Sequence, residues 1–139
     1  MRIRRVWNLR GANMWARDPV LEIWVELGEW AGWRSDAAGF AERLLALLPG
    51  LSRHPAAGTA AESFVEQLSR GVTLAHVLER VVVELQQCAG SKVSFGHTAG
   101  VLAEPDVYRV IVGYEEPVVA EACLEAGLRL CLAAAQGEP

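Results

Sequence analysis

His76, Glu79 and Arg80 occupy the first, fourth and fifth positions of the run H-V-L-E-R. On a helix that spacing stacks the three side chains within about one turn. Metal-dependent hydrolases use this spacing. Two histidines four apart reach one zinc, a glutamate between them activates the bound water, and the inverted form H-x-x-E-H is one signature of the class. Here the fifth position holds Arg80. A guanidinium has no lone pair to give, and its permanent charge opposes a divalent cation. With His76 as the one first-rank nitrogen on this helix, zinc would need two or more ligands from elsewhere. Glu84 lies about 12 Å further along the axis. His54 and His97 are candidates that nothing in the sequence places nearby. The alternative is a solvated helix face on which Arg80 and Glu84 form an i,i+4 pair worth about 0.2–0.5 kcal/mol.

The elements that must position these residues follow from periodicity. The helix runs from about Thr73 to Ala89, with Leu74, Leu78, Val81, Val82, Leu85 and Ala89 as one apolar stripe and Gly90 just past its end. His76 lies almost opposite that stripe, beside Arg80 and Gln87 and with Glu79 at the flank, so it faces solvent or a cleft. Val20 to Leu27 alternates as a strand, Leu21, Ile23, Val25 and Leu27 pointing one way and Glu22, Trp24 and Glu26 the other. Arg2 to Arg10 reads as its hairpin partner, with Ile3, Trp7 and Leu9 on one face, arginines opposite Glu22 and Glu26, and Gly11, Asn13 and Pro19 in the connection. A helix is expected from about Ala37 to Leu48, stopped by Pro49-Gly50. Another starts at the capping box Thr59-Ala60-Ala61-Glu62 and ends at Gly71. Val93 to Phe95 and Val107 to Tyr114 read as strands. Pro117 opens a last helix through about Ala135, apolar on most sides and therefore either buried or an interface with a second copy or an adjoining domain.

The order is β-β-α-α-α-β-β-α, an α+β fold with a four-stranded, mainly antiparallel sheet packed with about four helices. A length of 139 residues suits a single domain over 1–139. Net charge is −4, which supplies no basic footprint for nucleic acid, although Arg2, Arg4, Arg5 and Arg10 crowd the start. No apolar run approaches a membrane span and no secretory signal follows the first residues, so the expected compartment is the cytoplasm. Cys88, Cys123 and Cys131 fall in apolar helical patterns and are expected as buried thiols. All five tryptophans precede residue 34, and Trp30 and Trp33, flanking Gly32, are candidates for an exposed binding pair. There is no phosphate loop, G-x-S-x-G or C-x-x-C, which argues against an ATP-dependent reaction within this chain.

Several stretches together resemble the N-terminal domain of cyanophycin synthetase. They are L-R-G-A-N-M-W (Leu9 to Trp15), W-V-E-L-G-E (Trp24 to Glu29), G-F-A-E-R-L-L-A-L-L-P-G-L (Gly39 to Leu51) and F-V-E-Q-L-S-R-G (Phe64 to Gly71). L-A-H-V-L-E-R-V-V-V-E-L-Q-Q-C-A-G (Leu74 to Gly90), V-S-F-G-H-T (Val93 to Thr98) and E-P-D-V-Y-R-V-I-V-G-Y (Glu104 to Tyr114) follow in order. The resemblance implies a domain associated with holding an arginine/aspartate storage polymer, alongside ATP-grasp and Mur-ligase-like domains that this chain lacks. In many members it also implies a metallopeptidase-like site that cuts polymer into primers. Carried over by position, His76 matches a metal ligand and Glu79 the general base, while Arg80 departs from the second ligand. Where the family tends to show H-R-C-S and then G-G-F, this chain reads H-P-A-A (His54 to Ala57) and E-S-F (Glu62 to Phe64). The expectation is a non-catalytic polymer-binding or structural domain needing no cofactor. Arg80, His54, Trp30 and Trp33 are its candidate binding residues, and the polymer or a synthetase domain its partner. The alternative is a zinc-dependent hydrolase with a degenerate H-x-x-E-R site.

Overall fold

The computed structural model describes residues 1–55 and 62–137. Its four strands, β1 (Arg2–Leu9), β2 (Val20–Glu26), β3 (Gly96–Val101) and β4 (Glu104–Gly113), form one antiparallel sheet in the order β1-β2-β4-β3. Between β2 and β3 run α1 (Phe40–Leu47), α2 (Phe64–Arg70) and α3 (Leu74–Cys88), and α4 (Pro117–Gln136) follows β4. The α+β class, the element order and the antiparallel sheet are those expected from the sequence.

The alternation of β2 decides which face is which. Leu21, Ile23 and Val25 are fully buried beneath the helices, with Val110 and Val112 beside them on β4. Trp24 points away from the helices and pairs across the strands with Arg109. α3 lies against β3 and β4 on one side and α4 on the other. That sandwiching explains why Val77, Leu78, Val81, Val82 and Val83 are all without exposure. α4 turns Ala120, Cys123, Leu124, Cys131 and Ala134 inward, while Val118 at its start is exposed.

Several local expectations need correction. β1 carries a bulge between Ile3 and Arg5: Ile3 pairs with Val25, yet Arg5 pairs with Trp24. The extra residue re-aims the chain. Ile3 and Val6 therefore line a groove against α4, and Trp7 stands on the opposite face instead of sharing one with Ile3. The strand expected at Val93 to Phe95 is irregular, and pairing begins at Gly96. α1 starts at Phe40 rather than Ala37, behind Gly39 in the left-handed region. The capping residues Thr59 to Ala61 lie outside the described residues. α2 begins at Phe64, where Ser63 Oγ accepts from Glu66 N–H, and Glu62 pairs instead with Arg70. Cys88 is exposed, whereas Cys123 and Cys131 are buried as expected. No helix among the described residues is long and apolar enough to cross a membrane.

Candidate functional site

α3 forms the centre of the site. Thr73 caps it, its Oγ1 accepting from His76 N–H at 3.4 Å and lying within hydrogen-bond distance of His76 Nδ1 at 2.7 Å. His76 is half-buried, edge-on to Tyr108 with ring centroids 6.0 Å apart. Burial lowers its pKa below the usual value, Glu79 partly opposes that, and Arg34 and His97 add to the lowering. The imidazole is thus held neutral, as a ligand would be.

One turn on, the chemistry changes. Glu79 is 1% exposed and Arg80 5% exposed. Arg80 Nε donates to Glu79 Oε2 at 2.9 Å, and Nη2 lies 2.8 Å from the same oxygen. Thr98 Oγ1 on β3 donates to Glu79 Oε1 at 2.7 Å, and Arg80 Nη2 reaches Ser94 O at 3.4 Å. Both carboxylate oxygens are engaged by protein donors. The close approach is possible because β3 opens with glycine. A Cβ on Gly96 would lie 2.6 Å from Glu79 Oε2 and nearer still to Arg80 Nη2. The helix side expected to face solvent is therefore roofed by β3, and the expected Arg80–Glu84 pair does not form.

Glu84 is committed elsewhere. His54 Nε2 donates to its Oε1 at 2.9 Å, with both side chains buried, and Cys88 Sγ donates to Oε2 at 3.4 Å. Gly50 makes room, since a Cβ there would lie 2.7 Å from Glu84 Cδ. This second cluster ties the segment before residue 55 to α3, so His54 joins Glu84 and not His76. His97 is exposed on the far face of the sheet beside Trp15, with ring centroids 5.8 Å apart. Trp30 and Trp33 meet edge to face, Trp33 meets Phe40 the same way, and both indoles are half-buried against the core instead of standing free.

The donor set does not fit zinc. Among the described residues no three His, Cys, Asp or Glu side chains converge on a point that could hold a metal ion. A cationic guanidinium fills the position beside Glu79. Sequence reasoning missed Thr98, Ser94 and Gly96 as members of this cluster. The S-F-G-H-T run carried the signal in its glycine, where another backbone or side chain approaches closely.

Fold and site together define an α+β domain in which a helix presents a neutral imidazole beside a buried, internally compensated carboxylate. The sequence profile of the cyanophycin synthase-like N-terminal domain matches residues 22–136. Cyanophycin synthetases of Trichormus variabilis and of a Nostoc species are each 32% identical over 134 residues, covering 94% of this chain and 15% of the relative. That of Geminocystis herdmanii is 30% identical over the same length. The chain belongs to the cyanophycin synthase-like N-terminal domain family. It spans about 15% of the length of the curated relatives it matches.

Proposed function

We propose that this domain holds the arginine/aspartate polymer for a cytoplasmic cyanophycin synthetase, and that it does so without cutting it. The observation that carries the second half is the Glu79 carboxylate. A general base must offer an oxygen to the water it activates, within about 2.6–3.2 Å. Glu79 is 1% exposed, with Oε2 accepting from Arg80 and Oε1 from Thr98 beneath β3, so a water would have to enter that covered space before it could meet either oxygen. Family membership supports the first half, through the synthetases that share this domain.

The test is sedimentation with the insoluble polymer. The purified domain is expected in the pellet, and to be released by salt, because recognition of a charged polymer is screened. Protein that stays in the supernatant at every salt concentration, and that fails to associate with the remaining synthetase domains, overturns the reading. The competing reading is a metal-dependent hydrolase, and it draws on His76, whose Nε2 makes no hydrogen bond among the described residues. It requires Glu79 to leave Arg80, and cleavage lost in Glu79→Gln would support it.

A further inference from the structure

The sheet face turned away from the helices carries a ladder of cations and indoles. Arg5, Trp24 and Arg109 are register partners across β1, β2 and β4. The Arg5 guanidinium lies 5.6 Å from the centre of the Trp7 ring, and that of Arg109 lies 5.7 Å from the Trp24 ring. Trp7 and Trp24 meet edge to face at 5.7 Å. The bulge in β1 builds this arrangement: by inserting one residue it places Arg5 over the Trp7 ring while Arg4 reaches Glu104 at 2.8 Å. A pocket of about 220 Å³ opens between Arg4, Arg5, Trp7, Trp24 and Glu104.

The carboxylates of this face are spent. Glu22 accepts from the indole N–H groups of both Trp15 and Trp24, at 3.0 and 3.1 Å. Glu26 pairs with Arg2 and Glu104 with Arg4. Arg5 and Arg109 have no carboxylate partner among the described residues, and the Nε–H of Arg109 is shut from solvent without an acceptor. Stacked guanidiniums lose little freedom when they bind, and their forks match carboxylates. We propose that this face binds an extended polypeptide segment carrying carboxylates, with Arg5 and Arg109 as the two anchoring cations and Trp7 and Trp24 as the platform beneath it.

The spacing suits such a chain. One strand, β2, lies between Arg5 and Arg109, and the two inter-strand spacings make a span of about 10 Å, which an extended chain covers in about three residues. Nucleic acid fits less well. Its affinity grows with the number of phosphates neutralised, and among the described residues this face offers two guanidiniums without a carboxylate partner, in a chain of net charge −4. The inference deepens the polymer-holding reading and rests on it, because it names the face and the charge that it selects.

Tryptophan fluorescence of the intact domain, titrated with poly-L-aspartate, tests it. Saturable quenching that weakens with salt is expected. Arg5→Gln and Arg109→Gln should each weaken binding about fivefold to tenfold. Arg129→Gln, an exposed cation on α4, should leave it unchanged. Arg5 is itself exposed, so its variant keeps the test valid if Arg109→Gln unfolds. Absent quenching overturns the proposal, as does an Arg129 effect equal to that of Arg5, or tighter binding of oligothymidylate than of poly-L-aspartate. Pelleting with the insoluble polymer separates the two ideas. A domain that pellets but ignores poly-L-aspartate retains the polymer-holding role and loses this face. One that binds poly-L-aspartate through Arg5 but does not pellet retains the face and loses the role.

Discussion

Replacing Arg80 by methionine removes the one cation that compensates Glu79. The side chain that remains is 1% exposed and keeps Thr98 as its single described donor. Breaking a buried pair from one side costs about 3–5 kcal/mol, because an uncompensated charge stays behind. An exposed pair would cost under about 1 kcal/mol. The two cases differ by more than the error of a urea titration. With an m-value of about 1.5–2 kcal/mol/M, the unfolding midpoint should fall by about 2 M. Total stability of a domain this size is about 5–15 kcal/mol, so some native protein survives. The double variant Glu79→Leu with Arg80→Met removes both charges together and should recover most of the loss, since apolar replacement of a whole buried pair is often neutral. A loss under about 1 kcal/mol in Arg80→Met, or no recovery in the double variant, would refute the claim that the pair is buried and mutually dependent.

Three further outcomes follow from the same cluster. Gly96→Ala should destabilise by about 1–3 kcal/mol through overpacking against the Glu79–Arg80 pair, measured by thermal unfolding. Gly100→Ala on the same strand, where a Cβ would meet nothing closer than Tyr108 Cε2 at 3.8 Å, should not. His76 has a folded pKa below its ordinary value of 6.5, so the unfolded chain binds its proton more readily; stability is fully present above about 6.5 and falls as pH drops below it. His76→Gln should flatten that part of the stability–pH curve, and an unchanged slope would show that burial of the ring is not what sets it. Arg80→His places a second imidazole one turn from His76 and should raise zinc affinity in a calorimetric titration; no rise would mean that this side of α3 lacks metal-site geometry.

Much of the frame was legible because burial there follows simple periods. The alternation of Leu21, Ile23 and Val25 marked β2, and the stripe from Leu74 to Leu85 marked α3. β3 was misplaced because Gly96-His97-Thr98-Ala99-Gly100 holds little β-branched or aromatic material, and its pairing comes from β4 rather than from its own preference. That error carried over to the site. Without β3 above it, Arg80 looked solvated, and helix spacing nominated Glu84 as its partner. The structure assigns Glu84 to His54, a residue 30 positions away that no local pattern connects to it. Once β3 covers Arg80, the guanidinium needs a carboxylate within the same dry space, and Glu79 is the one that reaches. The bulge at Arg4 was equally hidden, because one inserted residue leaves composition unchanged while reversing which side chains share a face.

The central claim is that Glu79 is held by Arg80 and Thr98 and is not free to activate water. The most direct measurement is the release of soluble fragments from the insoluble polymer incubated with the domain and excess zinc. Protein bound to the pellet and no fragments in the supernatant are expected. Fragments that accumulate with the wild-type domain and vanish with Glu79→Gln would contradict it.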